Sequence, residues 1–125
     1  MQRELIKNIN AINNSIDELC SSINRSRDEI TLIAVSKKKG FELVKLALEN
    51  GINNFGENYA QELQEKSSLI DSDNIVWHFI GPIQSNKVKV IANNADWIHT
   101  LEREKIIRKF NDAVSYTHLR AHETV

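Results

Sequence analysis

A lysine at the end of an unbroken apolar run offers the most chemistry in this sequence. Lys37 follows Glu29-Ile30-Thr31-Leu32-Ile33-Ala34-Val35-Ser36 and precedes Lys38, Lys39 and Gly40. Burial at the rim of an apolar interior and neighbouring cations both favour the free amine of a lysine, which then attacks aldehydes. The same three lysines would also make a plain solvated basic turn, with their stems lying along apolar surface. Asn58, after Phe55-Gly56-Glu57, could hydrogen-bond a ring substituent of a ligand or cap the next helix. His78 stands between Trp77 and Phe79, where a satisfied core histidine and a ligand contact are equally open readings. Ser85 and Asn86 follow Gly81-Pro82 and can cap a helix, and the exposed amides of a helix start also hold anions. His99 and Thr100 carry a weaker signal of the same kind. Trp77 and Trp97 read as packing residues, and Cys20, on an apolar stripe, as a buried and inert thiol.

The elements that must position these residues are legible as periodicity. Leu5, Ile6, Ile9, Ile12, Ile16, Leu19, Cys20 and Ile23 recur at helical spacing, which predicts one amphipathic helix over 2–24. Residues 29–35 read as a strand buried on both faces, as in a parallel sheet. A helix over 41–50 follows, with Leu43, Val44, Ala47 and Leu48 on one face and Gly51 as the residue just past its end. The unit then repeats. Strands are expected at 52–55, 75–80 and 96–99, and helices at 59–70, 86–93 and 102–113. Alternating strands and helices imply right-handed crossovers and a parallel sheet.

Spacing refines that picture. Lys37, Asn58, His78 and His99 fall within or just after the expected strand ends, at intervals of 21, 20 and 21 residues. Such regular units suit a (β/α)8 barrel, whose functional groups gather at the strand C-terminal ends. A doubly wound sheet could show the same spacing, but the first turn lacks its Gly-x-Gly-x-x-Gly fingerprint, and there is no P-loop. Four units are half of a barrel, which takes about 250 residues. Truncation is therefore expected. Residues 115–125 show no strand pattern and read as sequence foreign to the fold. His118 and His122 are spaced for a shared zinc ion, but Leu119 stands where a metalloprotease motif needs glutamate, and no metal site is expected.

Bulk properties exclude several classes. Sixteen Lys+Arg against 17 Asp+Glu leave a formal net charge of −1, so neither nucleic acid nor an anionic membrane is implied as a partner. Hydrophobic residues at 41% and charged residues at 26% are an ordinary balance for a globular domain. One cysteine rules out an intrachain disulfide and fits a reducing compartment. Met1-Gln2-Arg3-Glu4 leads into an amphipathic pattern rather than an apolar leader, so a cytoplasmic protein is expected.

Three stretches together resemble one family. They are Leu32-Ile33-Ala34-Val35-Ser36-Lys37, Asn54-Phe55-Gly56-Glu57-Asn58-Tyr59, and Trp77-His78-Phe79-Ile80-Gly81-Pro82-Ile83-Gln84-Ser85-Asn86-Lys87. In order and spacing the chain is similar, over about residues 1–114, to the pyridoxal phosphate (PLP) homeostasis protein family, whose fold is that of the N-terminal domain of alanine racemase. The resemblance implies an α/β fold of the (β/α)8 barrel type, with about its first four βα units present after an N-terminal helix. It implies that Lys37 holds PLP as a Schiff base and that Asn58 and His78 lie near the cofactor, with Ser85 and Asn86 as further cofactor-binding candidates. It also implies a carrier or regulator in vitamin B6 homeostasis, without established turnover, with PLP-dependent apoenzymes as recipients and a monomeric full-length protein. The family's later strands supply the groups that grip the PLP phosphate, so weak binding by this chain alone is expected. Two alternatives differ in class. A racemase-like enzyme would need a second acid/base on the opposite face of the ring. A binding module without a cofactor would never take up PLP.

Overall fold

A computed structural model describes residues 2–36, 38–70, 72–100, 104–114 and 120–121. Lys37, His118 and His122 lie outside the described residues. Helix α1 (Gln2–Ser22) comes first, then β1 (Ile33–Val35), α2 (Phe41–Glu49), β2 (Asn54–Glu57), α3 (Ala60–Leu69), β3 (Val76–Phe79), α4 (Val88–Asn94), β4 (Trp97–Ile98), α5 (Glu104–Val114) and β5 (Arg120–Ala121). Short 3-10 turns occupy Arg27–Glu29 and Ser85–Lys87. No helix among the described residues is long and apolar enough to cross a membrane.

The five strands among the described residues form one sheet in the order β1-β2-β3-β4-β5, every pairing parallel. This order decides between the two architectures left open by spacing. A doubly wound sheet reverses direction at a switch point, whereas a barrel adds each strand beside the last. The order here never reverses, so the fold is of the (β/α)8 barrel type, with four βα units and a preceding helix.

Pleating sorts each strand's residues onto two faces. Phe55, Trp77, Phe79 and Ile98 are buried in one cluster with Leu63, Val88, Ile91, Ile106 and Phe110 of the helices. The alternate residues Ile33, Asn54, Gly56, Val76, His78, Ile80 and Trp97 belong to the opposite face. Gly56 corroborates this, because a β-carbon there would meet Ile80 Cδ1 at 3.0 Å and Ile33 Cγ2 at 3.3 Å.

Several boundaries differ from expectation, each for a local reason. β2 begins at Asn54 rather than 52 because Ile52 is used to close α2. Its N–H reaches the Ala47 carbonyl at 3.0 Å, and Gly51 N–H reaches Leu48 at 3.2 Å, with Gly51 at φ +95°. These bonds form a Schellman ending with Gly51 in the expected place. β1 is shorter than 29–35 because the Ser26 hydroxyl accepts from Asp28 N–H and Arg27 donates to the Ile30 carbonyl, winding that stretch into a turn. β3 and β4 are confined to 76–79 and 97–98, and the Asp96 carboxylate accepts from Trp77 N–H at 2.8 Å. α4 starts at Val88, since Ser85 and Asn86 lie in the 3-10 turn before it. The segment read as lacking a strand contributes Arg120–Ala121, paired in parallel with Trp97–Ile98. The stripe on α1 is only partly covered. Ile9 and Cys20 are buried, while Ile12, Leu19 and Ile23 stay exposed, because α2 and the Arg27–Glu29 turn are the main elements packed on this helix.

Two glycines set tight tolerances. A β-carbon at Gly81 would fall on the backbone of Asn58. Gly81→Ala is expected to cost about 3 kcal/mol or more, because backbone cannot give way as a flexible side chain can. Gly51→Ala should cost about 1 kcal/mol through its left-handed φ. Urea unfolding monitored by circular dichroism would rank the two.

Candidate functional site

A polar row crosses the sheet face turned away from the helices. The β3 strand sets His78 beside Asn54 of β2 and His99, which directly follows β4. His78 Nε2 lies 2.8 Å from Asn54 Oδ1, and His78 Nδ1 lies 2.9 Å from His99 Nε2. With the Asn54 carbonyl oxygen accepting, His78 carries its proton on Nε2 and accepts at Nδ1 from His99. Trp97 lies parallel to the His78 ring, with centroids 6.3 Å apart. A buried, oriented imidazole between an amide and a second imidazole can hold a hydrogen-bonding ring substituent in one orientation. Thr100, also singled out by the sequence, donates its hydroxyl to the Gly81 carbonyl at 2.7 Å.

Asn58 and Ser85 share a second location. Both line a cavity of about 600 Å³ past the C-terminal ends of β2 and β3, together with Tyr59, Phe79 and Lys87. Asn58 does not cap α3: Tyr59 holds that position without a side-chain bond, and Asn58 Oδ1 is buried with no hydrogen-bond partner. An acceptor kept from water and left unpaired costs about 1–3 kcal/mol, so it favours a donor entering the cavity. Neither Ser85 nor Asn86 supplies a capping bond, since Gln84 and Lys87 occupy the cap positions of the turn and of α4. Asn86 is exposed and does not line the cavity.

A third cluster joins Ser36 and Lys38 to β2 and α3. Lys66 of α3 is only 5% exposed, and Glu57 at the end of β2 is fully buried. Lys66 Nζ lies 2.8 Å from Glu57 Oε2 and 2.5 Å from the Ser36 carbonyl, and the Ser36 hydroxyl donates to the same Glu57 oxygen. Beyond position 37, Lys38 N–H donates to Glu62 Oε1 at 2.8 Å, and Lys38 adopts a left-handed φ of +60°. Lys39 N–H returns to the Ser36 carbonyl at 3.1 Å. The residue before and the residue after Lys37 are thus held by one charged network from β2 and α3.

Sequence reasoning chose Asn58, His78 and Ser85 but missed Asn54, Glu57 and Lys66. Trp97, read from the sequence as a packing residue, is half-buried and packs parallel to the His78 ring. Trp77 does pack in the core, with its ring 5.8 Å from that of Phe55. Among the described residues, no group of three or more His, Cys, Asp or Glu could hold a metal ion.

Sequential parallel strands alternating with helices define a protein of the β/α-barrel class. No family model matches the chain. Over 113 residues it is 44% identical to the pyridoxal phosphate homeostasis protein of Buchnera aphidicola subsp. Schizaphis graminum, covering 87% of this chain and 49% of that protein. It is 38% identical over 112 residues to the protein of the same name from Escherichia coli K12, covering 87% and 48%. The structure of PipY from Synechococcus elongatus PCC7942 with PLP bound superposes with a TM-score of 0.68 at 30% identity, covering 80% of this chain and 48% of that one. A protein from Bifidobacterium adolescentis superposes at 0.81 with 20% identity, a likeness of fold alone. The chain is therefore a relative of the pyridoxal phosphate homeostasis proteins, as its three sequence stretches suggest. It spans about half the length of the curated relatives it matches.

The polar row makes a specific prediction. Long-range nitrogen–proton correlation spectra should show neutral His78 protonated at Nε2, with His99 also carrying its proton at Nε2. A His78 protonated at Nδ1 would reverse the row and turn the Asn54 amide around.

Proposed function

We propose that this chain is the N-terminal half of a PLP-binding barrel that holds PLP for intracellular vitamin B6 homeostasis. The observation carrying this reading is the likeness to PipY, whose structure with PLP bound shares 30% identity with this chain. Residues 1–114 are in this reading the part belonging to the barrel, and residues 115–125 are foreign to it even though Arg120–Ala121 pairs with β4.

The residues present fit such a cofactor. Bound PLP supplies an electrophilic aldehyde and an electron-withdrawing ring. Lys37 is the amine that takes the aldehyde, and it follows a strand whose end is tied down at Ser36. Asn58 brings a buried acceptor without a partner, and Ser85 a hydroxyl, to the same cavity. His78 orients polar groups on the neighbouring strand face. Asn86, exposed on the turn, serves in this reading only as part of the amide-rich start of α4.

The relatives are named for homeostasis rather than for a reaction. The role proposed is accordingly to hold PLP and release it to PLP-dependent apoenzymes without turnover, as a monomer in its full-length cytoplasmic form. Titration of the chain with PLP should raise a new near-visible absorbance band, which saturates only at high PLP because the resemblance assigns the main phosphate-gripping groups to later strands. Lys37→Ala should abolish the band. Absence of any band, or its survival in Lys37→Ala, overturns the reading.

A further inference from the structure

We propose that the exposed flank of α1 is a self-association surface, which pairs with α1 of a second copy of this chain. Ile12, Leu19 and Ile23 are 47%, 62% and 57% exposed, and Ile16, between them, is half-buried. Ile23 lies just past the last residue of α1 but stays in line, because its N–H still reaches the Leu19 carbonyl at 3.2 Å. Steps of four, three and four residues make these side chains one seam, with the spacing by which one helix packs lengthwise on another. The packing of α1 on its own chain buries Ile9 and Cys20 and leaves this seam uncovered.

Both borders of the seam favour a copy of the same helix. At 3.6 residues per turn, Ser15 and Ser22 fall along its outer border, with Asn8 one repeat earlier. None of the three is charged. The Ser22 hydroxyl already donates to the Leu19 carbonyl at 2.8 Å, so covering it strands no donor. On the inner border, Arg27 of the same chain engages Asn13 and Asp17, each at 3.2 Å. Charges beside a seam select a different helical partner, and identical charges facing each other repel a second copy. This seam carries neither the code nor the repulsion. Its steps also read the same from either end. A twofold axis can therefore lay the second α1 antiparallel, Ile12 against Ile23 and Ile16 against Leu19, with opposed helix dipoles. The surface does not depend on the PLP reading, and the monomer proposed above is the longer, full-length protein.

Sedimentation equilibrium of the 125-residue chain over a range of concentrations tests the proposal. The dimer should dominate above about 100 μM, as befits a small interface. Leu19→Glu puts a carboxylate into the seam and should raise the dissociation constant at least about tenfold. Leu19 is exposed in a single copy, so this variant should melt like the unmodified chain. The double variant Ser15→Glu/Ser22→Glu keeps every apolar contact but sets like charges along the border, and should weaken the dimer by about as much. Leu69→Glu changes an equally exposed leucine on α3 and should leave the dimer unaltered. A chain that stays monomeric up to about 1 mM overturns the proposal. So does a dimer that survives unchanged in folded Leu19→Glu and Ser15→Glu/Ser22→Glu, or one that Leu69→Glu weakens as much as Leu19→Glu does.

Discussion

A lysine ammonium and a glutamate carboxylate buried together must satisfy each other, because an isolated ion out of water costs several kcal/mol. Lys66 and Glu57 meet at 2.8 Å in this chain. Neither belongs to β1, yet both reach the residue that directly follows it. Lys66 comes from the inner face of α3 and Glu57 from the last residue of β2, and they converge on Ser36. The pair therefore ties the exit of the first strand to the second βα unit. Glu57 Oε1 has no hydrogen-bond partner, so the carboxylate directs its bonding to the single oxygen that faces Ser36 and Lys66.

The sheet makes this convergence possible. Parallel strands added one beside the last bring every strand exit to the same end, so groups about 20 residues apart in sequence become neighbours. Ser36 and Glu57 meet in this way, as do His78 and His99. The two faces then divide the work. Phe55, Trp77, Phe79 and Ile98 seal the sheet to its helices, while Asn54, His78 and Trp97 put hydrogen-bonding and aromatic groups on the other side. Gly81 permits close approach of the β3 exit to Asn58 and so helps shape the cavity there.

Much of this was legible in the residues. Apolar runs and helical stripes placed every βα unit, and the regular spacing of Lys37, Asn58, His78 and His99 marked the strand ends. The Schellman ending could be read from Gly51, but not its consequence that Ile52 would be withdrawn from β2. Local pattern failed wherever a partner was distant. Lys66 reads as one more charged residue on a helix surface, and only the position of Glu57 on the neighbouring strand shows that it is buried. Asn58 looked like a helix cap because asparagine often is one; the tight approach of Gly81 leaves it facing a cavity instead. The stripe on α1 predicted burial, but periodicity cannot say how much surface is available to cover it, and Ile12, Leu19 and Ile23 remain exposed.

A double-mutant cycle on unfolding free energy, built from Glu57→Gln, Lys66→Met and the combined variant, interrogates the central interaction most directly. Each single change strands a buried polar partner, whereas the combined change does not. The single losses should therefore exceed the combined loss by a coupling energy of about 2 kcal/mol or more. Additivity within about 0.5 kcal/mol would show that the two groups do not depend on each other, and would contradict the account.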